Sequence, residues 1–261
     1  MTQTASPSIP ENRVPEVTVE FWLIKLMAVT MGETAADYLA VNLGFGLTVT
    51  SILMTAILIV ALRFQFAQKR YVPGVYWTAV VLISIVGTLV TDNLVDNFGV
   101  ALETTAIGFT LALAATFAIW YGAEKTLSIH SIFTARREGF YWLAILFTFA
   151  LGTAAGDLVA EVFALGYLTT GILFGAVIAA IAAAYYFLKM DAILAFWLAY
   201  IFTRPLGASF GDLLSQPVDY GGLGFGTIVT SFIFLAVIIA LVCYLTLKPT
   251  PSPVALQGEQ N

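Results

Sequence analysis

Hydrophobic residues along the chain fall into eight long runs, separated by short connections that carry polar residues and glycines. A transmembrane helix needs about 20 residues to cross a hydrocarbon layer of about 30 Å, and each run reaches that length. The pattern predicts an all-α integral membrane protein with eight transmembrane helices. The predicted spans are residues 19–42, 46–65, 73–96, 102–123, 139–163, 167–188, 190–215 and 224–247.

Composition agrees with this class and excludes several others. Of the 261 residues, 60% are hydrophobic and 10% are charged, and the mean hydropathy of +0.92 is far above that of a soluble domain. The net charge of −5 leaves no basic face for nucleic acid, so the lipid bilayer is the expected partner. A single cysteine, Cys243, and a single histidine, His130, exclude a disulfide framework, a cysteine metal cluster and paired-histidine haem ligation. We expect no covalently bound cofactor.

Basic residues outside the spans predict the orientation. They occur in the tails and in the connections after spans two, four and six, whereas the connections after spans one, three, five and seven contain none. By the positive-inside rule both termini face the cytoplasm, including the tails 1–18 and 248–261, and every odd span runs outward. The first 18 residues lack the features of a secretory signal, so no cleavage is expected.

A short motif recurs near the end of every odd span. It consists of a glycine, three further residues, a small residue and an aspartate. The copies are GETAAD at 32–37, GTLVTD at 87–92, GTAAGD at 152–157 and GASFGD at 207–212. The aspartates, Asp37, Asp92, Asp157 and Asp212, are separated by 55, 65 and 55 positions.

The turn that follows the motif also repeats. GFGLTVTS at 44–51 corresponds to GFGTIVTS at 224–231, although more than 170 residues separate them. The chain is therefore predicted to contain four tandem two-helix hairpins of the same orientation within one membrane domain, residues 19–247. The predicted repeats are residues 19–70, 73–126, 139–188 and 190–247.

These motifs resemble those of a bacterial family of membrane proteins defined by four copies of a short repeat of unknown function. The resemblance covers residues 19–247 and implies the architecture, with multiple spans in the bacterial cytoplasmic (inner) membrane. It implies no particular activity.

The glycines of the motif predict close helix packing. A glycine and a small residue four positions apart allow two transmembrane helices to approach closely. Each aspartate directly follows the second small residue, so its carboxylate is expected beside a tight crossing and inside the bundle. The glycines expected at these crossings are Gly32, Gly87, Gly152, Gly156, Gly207 and Gly211.

The four aspartates are candidates for an ion site or a proton relay. An ionised carboxylate in a membrane costs about 2.5–3.5 kcal/mol or more, so it needs a partner, a proton or water. Structural roles, as helix caps or as partners of the hairpin threonines, are the alternative. Oxygen-bearing side chains four residues away on the same helical face extend the candidate site. They are Glu33, Thr88 and Thr153 before the aspartates, and Asp96, Glu161 and Gln216 after them.

The fourth repeat adds a cation and a proline. Pro205 is expected to bend or break span seven, and Arg204 is interpreted as an internal counter-ion of the carboxylates. The alternative for Arg204 is a structural salt bridge to Asp157 or Asp212. Lys25 is interpreted as an anchor that reaches the cytoplasmic headgroups. The aromatic residues near the starts of odd spans are interpreted as an interfacial belt, formed by Trp22, Tyr76, Trp77, Tyr141 and Trp142.

Together these features favour a cation transporter. Hard oxygen ligands suit Mg²⁺, Mn²⁺, Ca²⁺, Na⁺ or protons better than copper or zinc, and export of a divalent metal such as Mn²⁺ in exchange for protons is the leading hypothesis. The metal ligands would be Asp37, Asp92, Asp157 and Asp212, with the cation as substrate. An intramembrane aspartyl protease is an alternative because two carboxylates can share a proton. A non-catalytic membrane sensor or assembly protein is the other.

Overall fold

The computed structural model describes residues 11–248, so the outer parts of the predicted tails, 1–10 and 249–261, lie outside the described residues. Within 11–248 the chain forms eight α-helices and no strand. The helices are α1 (Val19–Asp37), α2 (Leu47–Ala67), α3 (Pro73–Asp92), α4 (Leu102–Glu124), α5 (Ala135–Asp157), α6 (Gly166–Leu188), α7 (Ala192–Ser215) and α8 (Thr227–Leu247). Short π-helical turns span Tyr38–Asn42, Asn93–Asn97 and Leu158–Val162, and 3₁₀ turns span Ile129–Ser131 and Val218–Tyr220.

The eight helices coincide with the eight apolar runs, which confirms the all-helical prediction. Seven of them, α2 to α8, are long and apolar enough to cross a membrane. The first helix, α1, lies outside this set and carries four charged side chains, Glu20, Lys25, Glu33 and Asp37. The chain is therefore a membrane protein.

The odd helices form a closed inner ring. Helix α1 packs against α3 and α7, and α5 packs against the same two helices. Each even helix lies outside the ring on the odd helix of the next repeat: α2 on α3, α4 on α5, and α6 on α7. Helix α8 closes the circle on α1. The predicted hairpins are thus connected through tight turns, but their two helices do not form the packed pair.

Four glycines set the spacing of the inner ring. We call Gly32, Gly87, Gly152 and Gly207 the repeat glycines. A Cβ placed on any of them would overlap the side chain that lies three residues before the next repeat glycine. The four contacts are Gly32 with Ser84, Gly87 with Phe149, Gly152 with Arg204, and Gly207 with Val29. The last contact joins repeat four to repeat one, so the ring closes with the same geometry at every crossing.

A second glycine tightens two of these crossings. A Cβ on Gly156 would lie 3.6 Å from the Pro205 side chain, and one on Gly211 would lie 3.2 Å from the Thr30 carbonyl oxygen. Because glycine has no side chain, the α5–α7 and α1–α7 backbones approach closely. The short approach brings the residues one turn further on, including the aspartates, toward one another.

The aromatic pairs at the opposite end of the ring lie inside the protein. Tyr76, Trp77 and Tyr141 are at most 1% exposed, and the Tyr76 and Tyr141 hydroxyls are 2.5 Å apart. Trp142 and Trp197 are also buried. The interpretation of Tyr76, Trp77, Tyr141 and Trp142 as part of an interfacial belt was therefore wrong, because these residues are buried and pack against one another. Only Trp22 among the predicted belt residues is half-buried.

The segment before α1 covers this aromatic end. Arg13 Nη1 donates to Glu138 Oε2 at 2.8 Å, and Gln65 Nε2 donates to the other carboxylate oxygen at 2.9 Å. The Tyr71 N–H donates to the Asn12 carbonyl at 2.9 Å. Glu138 is completely buried, so the segment before α1 supplies the counter-charge for an interior carboxylate.

Helices α1 and α8 are joined near both ends. The Thr34 and Ser231 hydroxyls lie 2.7 Å apart. At the other end, Lys248 Nζ lies 3.3 Å from the Glu20 carboxylate, which raises the pKa of the Lys248 amine. The ammonium is exposed, so this pair adds little stability.

Candidate functional site

The four motif aspartates stand at the same end of the ring. Asp37, Asp92 and Asp157 are each the last residue of an α-helix, and a π-helical turn follows each one directly. Asp212 instead lies inside α7, which continues to Ser215 without a π-helical turn. A π-helical turn is rare and costs regular hydrogen bonding, and such turns recur at functional sites. Here they mark the aspartate end in three of the four repeats.

The four carboxylates form one cluster, which we call the acidic cluster. The Asp92 carboxylate is close enough to those of Asp37 and Asp157 for charge–charge interaction. The Asp212 carboxylate also interacts with Asp37 and Asp157. Glu33 interacts in the same way with each of the four aspartates. Tight crossings of the odd helices therefore bring the acidic groups of all four repeats within electrostatic range of Glu33.

The acidic cluster is partly exposed. Asp37, Asp92 and Asp157 are half-buried, whereas Asp212 is 8% exposed. In the described part of the chain, the one hydrogen bond to these carboxylates comes from Gln216 Nε2, which donates to Asp37 Oδ2 at 3.2 Å. The aspartates therefore neither cap helices nor bind the hairpin threonines there.

Two further acidic residues form the rim of the cluster. Asp96 and Glu161 are exposed, and both interact electrostatically with Asp37. They lie in the π-helical turns after α3 and α5. Their position extends the negative charge from the acidic cluster toward the solvent.

One turn deeper, a buried ion pair closes the floor of the cluster. Arg204 Nη2 donates to Glu33 Oε2 at 2.7 Å and to the Thr153 hydroxyl at 2.7 Å, and it also contacts the Thr88 hydroxyl. The Thr88 hydroxyl donates to the same Glu33 oxygen at 3.2 Å. Arg204 is 0% exposed and Glu33 is 5% exposed. This network, which we call the Glu33–Arg204 node, joins all four inner helices.

Repeat symmetry explains how the node forms. The residues directly after the repeat glycines face the centre of the ring, and three of them carry oxygen: Glu33, Thr88 and Thr153. In the fourth repeat this position is Ala208, which is small and buried. Arg204 starts one turn away on the same helix, packs its stem on Gly152, and places its guanidinium at the centre.

The partner of Arg204 differs from the predicted alternatives. Its ion pair is with Glu33, four residues before Asp37, and neither Asp157 nor Asp212 lies within salt-bridge distance. Helix α7 also continues through Pro205 from Ala192 to Ser215, so the expected break in span seven is absent. Pro205 packs against Gly152 and Gly156 instead, and these glycines provide the space for its ring.

Lys25 lies in the interior and not at a headgroup. It is 0% exposed, and its ammonium lies 3.8 Å from the centre of the Tyr200 ring. The anchor interpretation was therefore wrong. Comparison of the repeats carried the missing signal, because the positions equivalent to Lys25 are Val80, Ile145 and Tyr200. Two aliphatic residues and an aromatic residue are typical of a core position.

Metal coordination has no preformed ligand set in the described residues. No three side chains of histidine, cysteine, aspartate or glutamate between residues 11 and 248 are arranged to hold one metal ion. The metal site predicted on Asp37, Asp92, Asp157 and Asp212 therefore stays a prediction. It would require the carboxylates to move closer together.

The fold and the acidic cluster define an all-helical membrane protein built from a fourfold repeat. The chain belongs to the family described as Repeat of Unknown Function (DUF347), whose model matches residues 21–71, 75–126, 140–191 and 195–248. This match confirms the four tandem copies predicted from the glycine and aspartate motif. No curated protein and no solved structure matches the chain.

Proposed function

We propose that the protein is a membrane transporter that exports cations, with the acidic cluster as the cation site and protons as the exchanged ion. The observation that carries this proposal is the Glu33–Arg204 node beneath four aspartates from four different helices. A divalent ion such as Mn²⁺ is the first substrate to test, because carboxylate and hydroxyl oxygens are hard ligands.

Charge and partial exposure support a cation site at this end. Three of the four aspartates are half-buried, and the exposed Asp96 and Glu161 add negative charge at the rim. Clustered groups with one sign of charge raise the local concentration of counter-ions. A cation that reaches the acidic cluster compensates the carboxylates there, and it then competes with Arg204 for Glu33.

The node supplies a physical basis for coupling. Arg204 holds Glu33 and two threonine hydroxyls from neighbouring helices. When a cation or a proton neutralises Glu33, the attraction between Glu33 and Arg204 is lost, and the four inner helices lose a shared contact. We therefore assign Arg204 the role of internal counter-ion and Pro205 that of its packing neighbour.

The proposed membrane arrangement has eight spans, including α1, with the odd helices all running outward. Gly207 on α7 faces Val29 on α1, and Gly211, four residues later on α7, faces Glu33, four residues later on α1. Because the contacts advance in the same order along both helices, they favour the same direction for α1 and α7. The basic connections favour cytoplasmic termini in a bacterial inner membrane. The acidic cluster would then face outward.

Flux measurements on proteoliposomes test the proposal. Asp37, Asp92, Asp157 and Asp212 are changed singly to Asn, and Mn²⁺ uptake is followed with an opposing proton gradient. We expect flux to fall by roughly tenfold or more, equivalent to about 1.4 kcal/mol of lost stabilisation. D219N is the matched control, because Asp219 is exposed and outside the acidic cluster. Unchanged flux in all four variants would exclude these carboxylates from the mechanism.

Two other functions remain predictions from the sequence. An intramembrane aspartyl protease would use two neighbouring carboxylates, and a sensor or assembly protein would use the polar residues for packing. Incubation of the same proteoliposomes with a reporter transmembrane segment distinguishes a protease from a transporter, since a transporter leaves the reporter intact. A wild-type protein that shows neither flux nor cleavage would favour the sensor or assembly protein.

A further inference from the structure

Two cationic side chains lie in the interior of the ring, around one aromatic residue. Lys25 and Arg204 are both 0% exposed. The Lys25 ammonium is 5.3 Å from the centre of the Phe149 ring, and the Arg204 guanidinium carbon is 5.7 Å from the same centre. The two cations are close enough to repel each other.

Among the described residues, Lys25 lacks a counter-charge. Arg204 is paired with Glu33 and is also attracted by Asp157 and Asp212, but Lys25 has no salt-bridge partner in residues 11–248, and its one charge–charge interaction is the repulsion by Arg204. The face of Tyr200 attracts the ammonium, yet it carries no net charge. A protonated Lys25 therefore carries an uncompensated charge at a fully buried position, which is strongly unfavourable.

Hydrogen-bond donors in the same place also lack acceptors. Lys25 Nζ and the Nε and Nη1 atoms of Arg204 have no hydrogen-bond partner within the described part of the chain. A guanidinium keeps its proton in proteins, and a neutral Lys25 amine offers a single lone pair, so loss of a proton from Lys25 would still leave at least one of the two Arg204 nitrogens without an acceptor. Water would provide acceptors without charge. An anion provides both an acceptor and the missing negative charge.

We propose that Lys25 and Arg204 bind one small monovalent anion, of the halide class, inside the helix ring. The anion accepts from Lys25 Nζ and from one of the two free guanidinium nitrogens, while Arg204 Nη2 stays on Glu33. Phe149 and Tyr200 form the apolar wall of the site. The site differs from the acidic cluster in its charge and its depth, and it does not depend on cation transport.

Thermal unfolding of the purified full-length protein in detergent tests the site. Sodium chloride is titrated against sodium gluconate at constant ionic strength. Chloride at 100-fold above its Kd is expected to raise Tm by roughly 5 °C, because it binds only the folded state. Lys25→Met keeps the aliphatic stem and removes the ammonium, so the chloride-dependent shift is lost. K69M is the matched control, since Lys69 is exposed, and it keeps the wild-type shift.

Three outcomes overturn the proposal: a wild-type Tm that is the same in chloride and gluconate, a chloride shift that persists in K25M, or a shift lost equally in K69M. A structure of the wild-type protein determined in sodium bromide is the second measurement, and it applies even where K25M does not fold. An anomalous bromide peak within hydrogen-bond distance of Lys25 Nζ supports the site. An ordered Lys25 without such a peak contradicts it, whatever the flux of the aspartate variants.

Discussion

Single side chains at equivalent repeat positions determine the chemistry of the inner ring. Three residues before the repeat glycines the chain carries Val29, Ser84, Phe149 and Arg204, and each of them faces the inner helix of the preceding repeat. Three of these side chains are uncharged, and the fourth carries the guanidinium that holds the Glu33–Arg204 node. The aliphatic stem of Arg204 lies on Gly152, and it fits there because glycine has no side chain.

A methyl group at Gly152 should therefore destabilise the protein. A Cβ there would lie 2.5 Å from Arg204 Cβ, closer than two carbon atoms tolerate. Overpacking of this kind costs about 1–3 kcal/mol, so we expect G152A to lower Tm by roughly 2–12 °C in a thermal scan. G108A is the control, because nothing lies within 4 Å of a Cβ at Gly108. Equal Tm values for the two variants would contradict the crossing geometry.

The even helices connect neighbouring repeats. Each leaves its own odd helix through a short turn and packs on the odd helix of the following repeat. Ser51 on α2 shows this relation, because its hydroxyl contacts Asn93 and the Leu89 carbonyl of α3. The equivalent Ser231 on α8 contacts Thr34 of α1. The chain thus closes into a circle, with the last helix on the first.

Cysteine cross-linking distinguishes this circle from four packed hairpins. In a C243A background, T34C with S231C is expected to form a disulfide, because the native hydroxyls are 2.7 Å apart. T34C with S51C is the matched control, since Ser51 faces α3. The expected result under mild oxidation is a mobility shift on a gel for the first pair alone. Cross-linking of the control pair would instead favour packed hairpins.

At the scale of the whole molecule, the segment before α1 joins parts of the chain that are distant in sequence. Asn12 binds the Tyr71 N–H after α2 and the Ile129 carbonyl before α5. Arg13 extends into the ring to Glu138, 125 residues away in sequence. The first and second halves of the chain are therefore held together at the aromatic end by a short peptide, as well as by the inner ring.

Loss of the Arg13 charge should destabilise the whole fold. R13A leaves the Glu138 carboxylate buried without its counter-charge, which costs about 3 kcal/mol, or roughly 5–10 °C in Tm. R13A/E138Q should recover part of this loss, because a neutral amide needs no counter-charge. R136A, at an exposed arginine, should change Tm little. A double variant no more stable than R13A would contradict the assigned pairing.

The sequence was most informative where the membrane imposes one choice. Runs such as 102–123 and 224–247 must be helical in lipid, because every backbone N–H needs an acceptor within its own segment. The glycine and aspartate spacing then revealed the four copies. Lys25 and Trp77 were misread, since hydropathy shows that a residue is within a span but not whether it faces lipid or protein. The direction of a side chain depends on its neighbouring helices.

The sequence by itself determined the eight helices, the fourfold repeat and the identity of the acidic positions, because apolar length and motif spacing are local properties of the chain. The tertiary structure decided which helices are neighbours, that Arg204 pairs with Glu33, and that Lys25 is enclosed. Those outcomes depend on contacts between residues far apart in sequence, such as Glu33 and Arg204, which are 171 positions apart, and Thr34 and Ser231, which are 197 apart. Such contacts form only when the ring closes, so the pattern of residues within a single repeat does not predict them.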